Sequence, residues 1–180
     1  MIHKKLANQI LSAAKQDQEL RFQVFTTNDK PALWKKIEDQ DVKTTKMMQE
    51  IVSDIGWPTI SRVGRKASHA AWLLVQHADK TLPFQIECLR LMQTAAKNEV
   101  KQQNIAFLTD RIAVAQGKKQ IYGTQFIPSK NNPKVYVPQP IENIKNVDER
   151  RKSMGLNTLL ENTLEINERK PEGTKQSSLE

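Results

Sequence analysis

Seven polar side chains of this chain sit beside apolar segments that ought to form a core, where an unpaired polar group costs free energy. His77 follows Leu74 by three residues and Ala70 by seven, which puts it near the apolar face of a central helix. Histidine ordinarily changes charge near neutral pH, so His77 is a candidate general acid or base, with Asp79 or Asp110 as the carboxylate that orients it. Arg111 offers the planar fork that grips a phosphate or carboxylate bidentately. Gln120, Tyr122 and Gln125 lie in a stretch that alternates as a strand does, yet polar groups occupy both of its faces. Gly123 within it permits a close approach by another backbone or a ligand. Such a stretch suits hydrogen-bonded recognition of a polar ligand better than nucleophilic attack.

Each of these residues also has a structural reading. A histidine in the last turn of a helix is favoured by the helix dipole and donates to free carbonyls. Asp110 and Arg111 diverge by about 100° on a helix and so serve different partners, and their structural alternative is an ion pair bracing the hairpin or a loop. Gln120, Tyr122 and Gln125 could equally tie a hairpin to the helices. The sequence leaves the choice between a site and a buried polar network open.

Other chemistries are missing. The chain has no glycine-rich phosphate loop, no Gly-x-Ser-x-Gly elbow, no His-Glu-x-x-His and no calcium loop. His3, His69 and His77 are its only histidines, and His69 precedes His77 by two helical turns, too far for joint ligation on one helix. Cys88 is the only cysteine, which rules out an intramolecular disulfide and any multi-cysteine zinc site. No metal or other cofactor is expected. Cys88 is read as a buried structural thiol, consistent with a reducing, cytoplasmic setting.

The elements that must position these residues follow from periodicity. Apolar residues at helical spacing predict helices over 4 to about 25, from Pro31 or Asp39 to Ile55, over 64–78, from Pro83 to about Asn98 and over 102–115. Ala67, Ala70, Ala71, Leu74 and Ala78 give the third of these a smooth face of small residues, which marks it as central. Beyond Gly117 the period shortens: Gln120–Ile127 alternates, Pro128–Pro133 has turn composition, and Val135–Val137 is β-like, so one hairpin is expected. Two short helices follow, over 147–154 and 158–167, separated by Gly155. The fold expected is mainly α: a single domain, 1–168, of five to seven helices with one small β-hairpin packed against them. Residues 169–180 read as a disordered polar tail whose closing Leu179-Glu180 could be vector-derived.

The formal net charge of +8 raises the question of nucleic acid. The basic residues are scattered in pairs with acidic neighbours, and no basic run is interleaved with aromatics as in single-strand binders. Nucleic acid is therefore an unlikely partner, although the charge would help attract a small anionic ligand. No apolar stretch approaches the ~20 residues of a membrane span, so no membrane association is expected.

Several of these segments together resemble a known family. The segments are Gly56-Trp57-Pro58, Val63-Gly64, Ala71–Asp79, Asp110-Arg111 and Gln120–Phe126, continuing through Pro138, Pro140-Ile141 and Val147–Arg151 to Leu156, with Asp17-Gln18 and Arg21 ahead of them. The set resembles a bacterial family catalogued as a domain of unknown function, over residues 10 to 165 or so. The resemblance implies no established activity. It does mark His77, Asp79, Asp110, Arg111, Gln120, Tyr122 and Gln125 as the residues to test. The function expected is a small soluble domain with a polar pocket formed by the central helix end, the fifth helix and the hairpin. That pocket would bind a small anionic or polyhydroxylated ligand, with hydrolysis or group transfer as its reaction classes. The alternative is a non-catalytic protein-interaction module in which the same residues form a structural network.

Overall fold

A computed structural model of the chain describes residues 3–168; the polar tail expected over 169–180 lies outside them. Eight α-helices and one antiparallel hairpin make it mainly α, in the order α1 (Lys4–Phe22), α2 (Lys30–Ile55), α3 (Ile60–Val63), α4 (Arg65–Gln76), α5 (Leu82–Thr94), α6 (Gln102–Ala115), β1 (Phe126–Pro128), β2 (Tyr136–Pro138), α7 (Val147–Ser153) and α8 (Leu159–Glu168). The expected helices all form. The one added is α3, a single turn in the linker after Trp57-Pro58, too short to leave a periodic signal. No helix among the described residues is long and apolar enough to cross a membrane. Contacts group the chain into two compact units, one running to Lys101 and the other starting at Gln102.

In the first unit α1, α2 and α4 pack against one another. α1 buries Ala7, Ile10, Ala14 and Asp17, a stripe at alternating steps of three and four. α2 begins at Asp29, whose carboxylate accepts the Ala32 amide at 3.1 Å, with Pro31 in the first turn. It ends at Gly56, which adopts φ +68°, a left-handed conformation that costs other residues about 1–2 kcal/mol. α4 turns its small residues inward: Ala67, Ala70, Ala71 and Leu74 are almost wholly buried, which lets α1 and α2 approach closely. Leucine at Ala70, which is 0% exposed, would overpack this contact at a cost of about 1–3 kcal/mol. α5 buries Phe84, Cys88 and Met92 at steps of four, and burial raises the Cys88 thiol pKa far above its ordinary value.

The second unit holds α6, the hairpin and the last two helices. The hairpin pairs Phe126 with Pro138, Ile127 with Val137 and Pro128 with Tyr136. It is shorter than the alternation from Gln120 suggests. Gln120 makes only an isolated bridge to Ile141, and the backbone of residues 121–124 bonds to side chains instead of to a neighbouring strand. Gly123, at φ +68°, is the reason this stretch can close: a Cβ there would stand 2.6 Å from Ile141 Cδ1 and 3.0 Å from Leu159 Cδ1. The close approach expected at Gly123 is thus made by two apolar side chains. On the far side of β2 the Asn167 side chain accepts the Tyr136 amide at 2.7 Å and donates to the Tyr136 carbonyl at 2.9 Å.

Candidate functional site

Within the first unit, α4 ends at Gln76 and His77 takes the capping position. Gln85, fully buried on α5, donates its amide to the carbonyls of Val75 and Gln76, both at 3.2 Å, and to the Asp79 carboxylate at 3.3 Å. Those bonds satisfy helix-end carbonyls that would otherwise be orphaned and fix the turn carrying His77. Thr81 adds a bond from its hydroxyl to the Ala78 carbonyl at 3.0 Å.

His77 meets Asp17 of α1, which is 2% exposed: its Nδ1 lies 3.1 Å from Asp17 Oδ2 and 3.2 Å from Oδ1. Asp17 also accepts from Arg21 Nε at 3.0 Å and from the Gln18 amide at 2.8 Å. Arg21 extends its Nη2 to Asp41 of α2 in a short charge-assisted bond. Burial alone would raise the pKa of Asp17, but hydrogen bonding and charge from His77 and charge from Arg21 outweigh it and hold the group below the usual carboxylate range. Asp17 is therefore an ionised acceptor at neutral pH, and the proton between it and the ring belongs to Nδ1. Asp41 goes the other way: burial raises it, and the Arg21 bond does not fully offset that. Two carboxylates on one arginine thus have their pKa values driven apart.

The cluster opens onto a groove of ≈ 600 Å³, lined in part by Arg21, Trp34, Asp41, Thr45 and His77. That size falls within the roughly 300–1,000 Å³ of small-molecule sites. Lys80 and Glu38 form an ion pair across it at 3.0 Å.

Asp17, Asp41 and His77 can each place a donor atom within 4.8 Å of the others, close enough to share a metal ion. The donor set fits one poorly. The Arg21 guanidinium already bonds both carboxylates, and His77 presents a protonated nitrogen to Asp17. The site is built around an internal cation.

The second unit gathers a different group. Asp110, 0% exposed on α6, accepts the backbone amides of Ile121 at 2.7 Å, Tyr122 at 3.0 Å and Thr124 at 2.9 Å, and the Thr124 hydroxyl at 3.0 Å. Gln120, equally buried, behaves as an inserted peptide group: Oε1 accepts the Gln125 amide at 2.6 Å while Nε2 donates to the carbonyls of Gln125 and Gln139 at 3.0 and 2.9 Å. The carbonyls of the same loop go to two arginines. Arg150 donates to Ile121 at 2.8 Å and Glu142 at 2.7 Å; Arg151, 1% exposed, donates to Tyr122 at 2.8 Å and Asn157 at 2.7 Å. The Gln125 side chain bonds the Thr124 hydroxyl at 3.1 Å. Tyr122 is partly buried, and burial together with the Asp110 charge raises its phenol, which stays protonated at neutral pH. Arg111 is partly buried on α6.

Of the seven residues singled out from the sequence, His77 and Asp79 fall in the first unit. Asp110, Arg111, Gln120, Tyr122 and Gln125 fall in the second. The partners of His77 were not among them. A signal for those partners exists: Asp17 extends the apolar stripe Ala7, Ile10, Ala14, and Asp41 continues Leu33 and Ile37 toward Met48. A carboxylate on a buried helix stripe needs a partner, and Arg21 stands one turn beyond Asp17.

A model described as a family of unknown function, DUF6624, matches residues 4–170. The chain belongs to DUF6624. The match takes in both side-chain networks and reaches beyond the span of the resemblance read from the sequence. No curated protein and no solved structure matches this DUF6624 chain.

Proposed function

We propose that the groove of the first unit is an acid–base site for a small polar ligand, with hydrolysis or group transfer as its chemistry. The observation that carries this reading is His77 bonded through Nδ1 to the buried Asp17 at the edge of a ligand-sized groove. That is the arrangement by which a carboxylate fixes ring tautomer and orientation and steadies the imidazolium formed in the reaction. Nε2 takes a proton from a water or a ligand hydroxyl as that oxygen attacks. Asp41, the second carboxylate on Arg21, lines the groove beside His77 as a further ligand contact. Arg21 holds the two carboxylates apart in role while keeping them close in space, and Asp79 and Lys46 line the groove as ligand contacts.

Asp110 and Gln120 are assigned to holding the loop of the second unit; ligand binding by Arg111, Tyr122 and Gln125 is not part of this proposal. A second reading, a non-catalytic interaction module, draws support from that unit, where Asp110, Arg150 and Arg151 bond mostly to backbone groups. A cytoplasmic setting belongs to the first reading, supported by the single buried thiol, Cys88.

The test is thermal-shift and calorimetric screening of the protein with neutral and anionic small molecules, repeated on His77→Ala. A ligand that stabilises the parent and not the folded variant supports the site. No ligand in either class, with His77→Ala merely less stable, favours the interaction module.

A further inference from the structure

α2 presents a line of side chains to the groove at steps of four, three, four and four: Trp34, Glu38, Asp41, Thr45 and Gln49. These steps keep all five on one face of the helix. At 1.5 Å per residue the line is about 22 Å long, with Asp41 about 10 Å from Trp34 and 12 Å from Gln49. Asp41 thus sits mid-way along this line of groove-lining side chains.

Trp34 is 49% exposed, whereas the other two tryptophans, Trp57 and Trp72, are 3% and 8% exposed. An indole left open beside a groove of mixed lining, with Ile37 and Val42 among its polar side chains, is a flat platform for a ring with an apolar face. The charges of the lining balance: Arg21, Lys46 and Lys80 against Glu38, Asp41 and Asp79. Two of these cations are already paired, Arg21 with Asp41 and Lys80 with Glu38. A balanced lining gives no net attraction to a strongly anionic ligand such as a nucleotide. A helix face also offers no free backbone amides for an extended peptide to pair with. What it offers is side-chain hydroxyl, amide and carboxylate groups, from Thr45, Gln49, Glu38 and Asp79.

We propose, on the acid–base reading of the same groove, that its ligand is a neutral oligosaccharide, with one sugar ring stacked on Trp34 and a glycosidic oxygen at Asp41 and His77. Ring faces of C–H bonds match the indole, and hydroxyls match the polar side chains of the lining. Hydrolysis there is balanced by water: as the glycosidic C–O bond breaks, the water hydroxyl goes to the sugar carbon, and its proton, taken by His77 Nε2, passes to the leaving oxygen.

The experiment is titration of the full chain with gluco-, xylo- and chito-oligosaccharides, followed by tryptophan fluorescence and calorimetry, on the parent, Trp34→Ala and Trp34→Phe. The expected result is a fluorescence change on binding that Trp34→Ala abolishes. Trp34→Ala should weaken binding about 10-fold or more, the effect of losing a stacking contact of about 1.4 kcal/mol. Trp34→Phe should recover part of the affinity, and salt should leave it unchanged. No binding of any of these oligomers at millimolar concentration overturns the proposal, as does binding that Trp34→Ala leaves intact. An anionic ligand that binds through His77 with strong salt dependence would overturn the saccharide while leaving the acid–base groove standing. If neither class binds, the groove reading fails as well.

Discussion

Asp17 and His77 are sixty residues apart in sequence and 3.1 Å apart in space, and their contact ties the end of α4 to the C-terminal part of α1. A buried carboxylate of this kind stabilises only while all its partners are in place.

Asp17→Ala is expected to cost about 3–5 kcal/mol, the range for breaking a buried charged pair by removing one partner. Denaturant unfolding measures it, and a double-mutant cycle with His77→Ala isolates the coupling. If the two substitutions add without coupling, the contact is not energetically significant.

The pH dependence has a fixed sign. Asp17 has a folded pKa below its unfolded value, so its contribution is present above about pH 3.8 and is lost as pH falls through the folded pKa. Asp41 has a folded pKa above its unfolded value, so its contribution is greatest below about 3.8 and declines as pH rises through the folded pKa. Melting curves from pH 7 down to pH 2 should therefore show the deficit of Asp17→Asn against the parent shrinking at the acid end. A deficit that grows on acidification would mean that Asp17 is not held ionised.

Asp110→Ala is expected to destabilise the second unit severely, by more than about 3 kcal/mol, because three backbone amides and a hydroxyl lose their acceptor together. Hydrogen exchange at Ile121, Tyr122 and Thr124 is the direct readout. Unchanged protection there would show that water or another group replaces the carboxylate readily.

Gly123→Ala is expected to cost about 1–3 kcal/mol, from strain at a positive φ and from displacement of Ile141 and Leu159. A variant as stable as the parent would mean that the two side chains move aside freely.

The helices were legible because apolar residues repeat at steps of three and four along each of them, and the α6 boundaries at 102 and 115 agree with the structure. The strand was overread at its start. Alternation from Gln120 looks like pairing, yet the amides of residues 121, 122 and 124 go to Asp110 and the carbonyls of residues 121 and 122 to Arg150 and Arg151. His77 stood out because a histidine at a helix end is chemically conspicuous. Asp17 and Asp41 did not, since an acidic residue in a helix reads as surface until its place on the buried stripe is counted.

Asn167 gives the hairpin a property that its own sequence lacks. Tyr136 directs its amide and carbonyl away from β1, and one side-chain amide answers both. Tyr136 and Val137 of this strand are exposed. An unpaired strand edge is a template for another chain, and here α8, through Asn167, occupies the polar groups that such a chain would use. Asn167→Ala is expected to leave the fold intact and to raise light scattering with concentration and time, a change in colloidal behaviour produced by the loss of one amide.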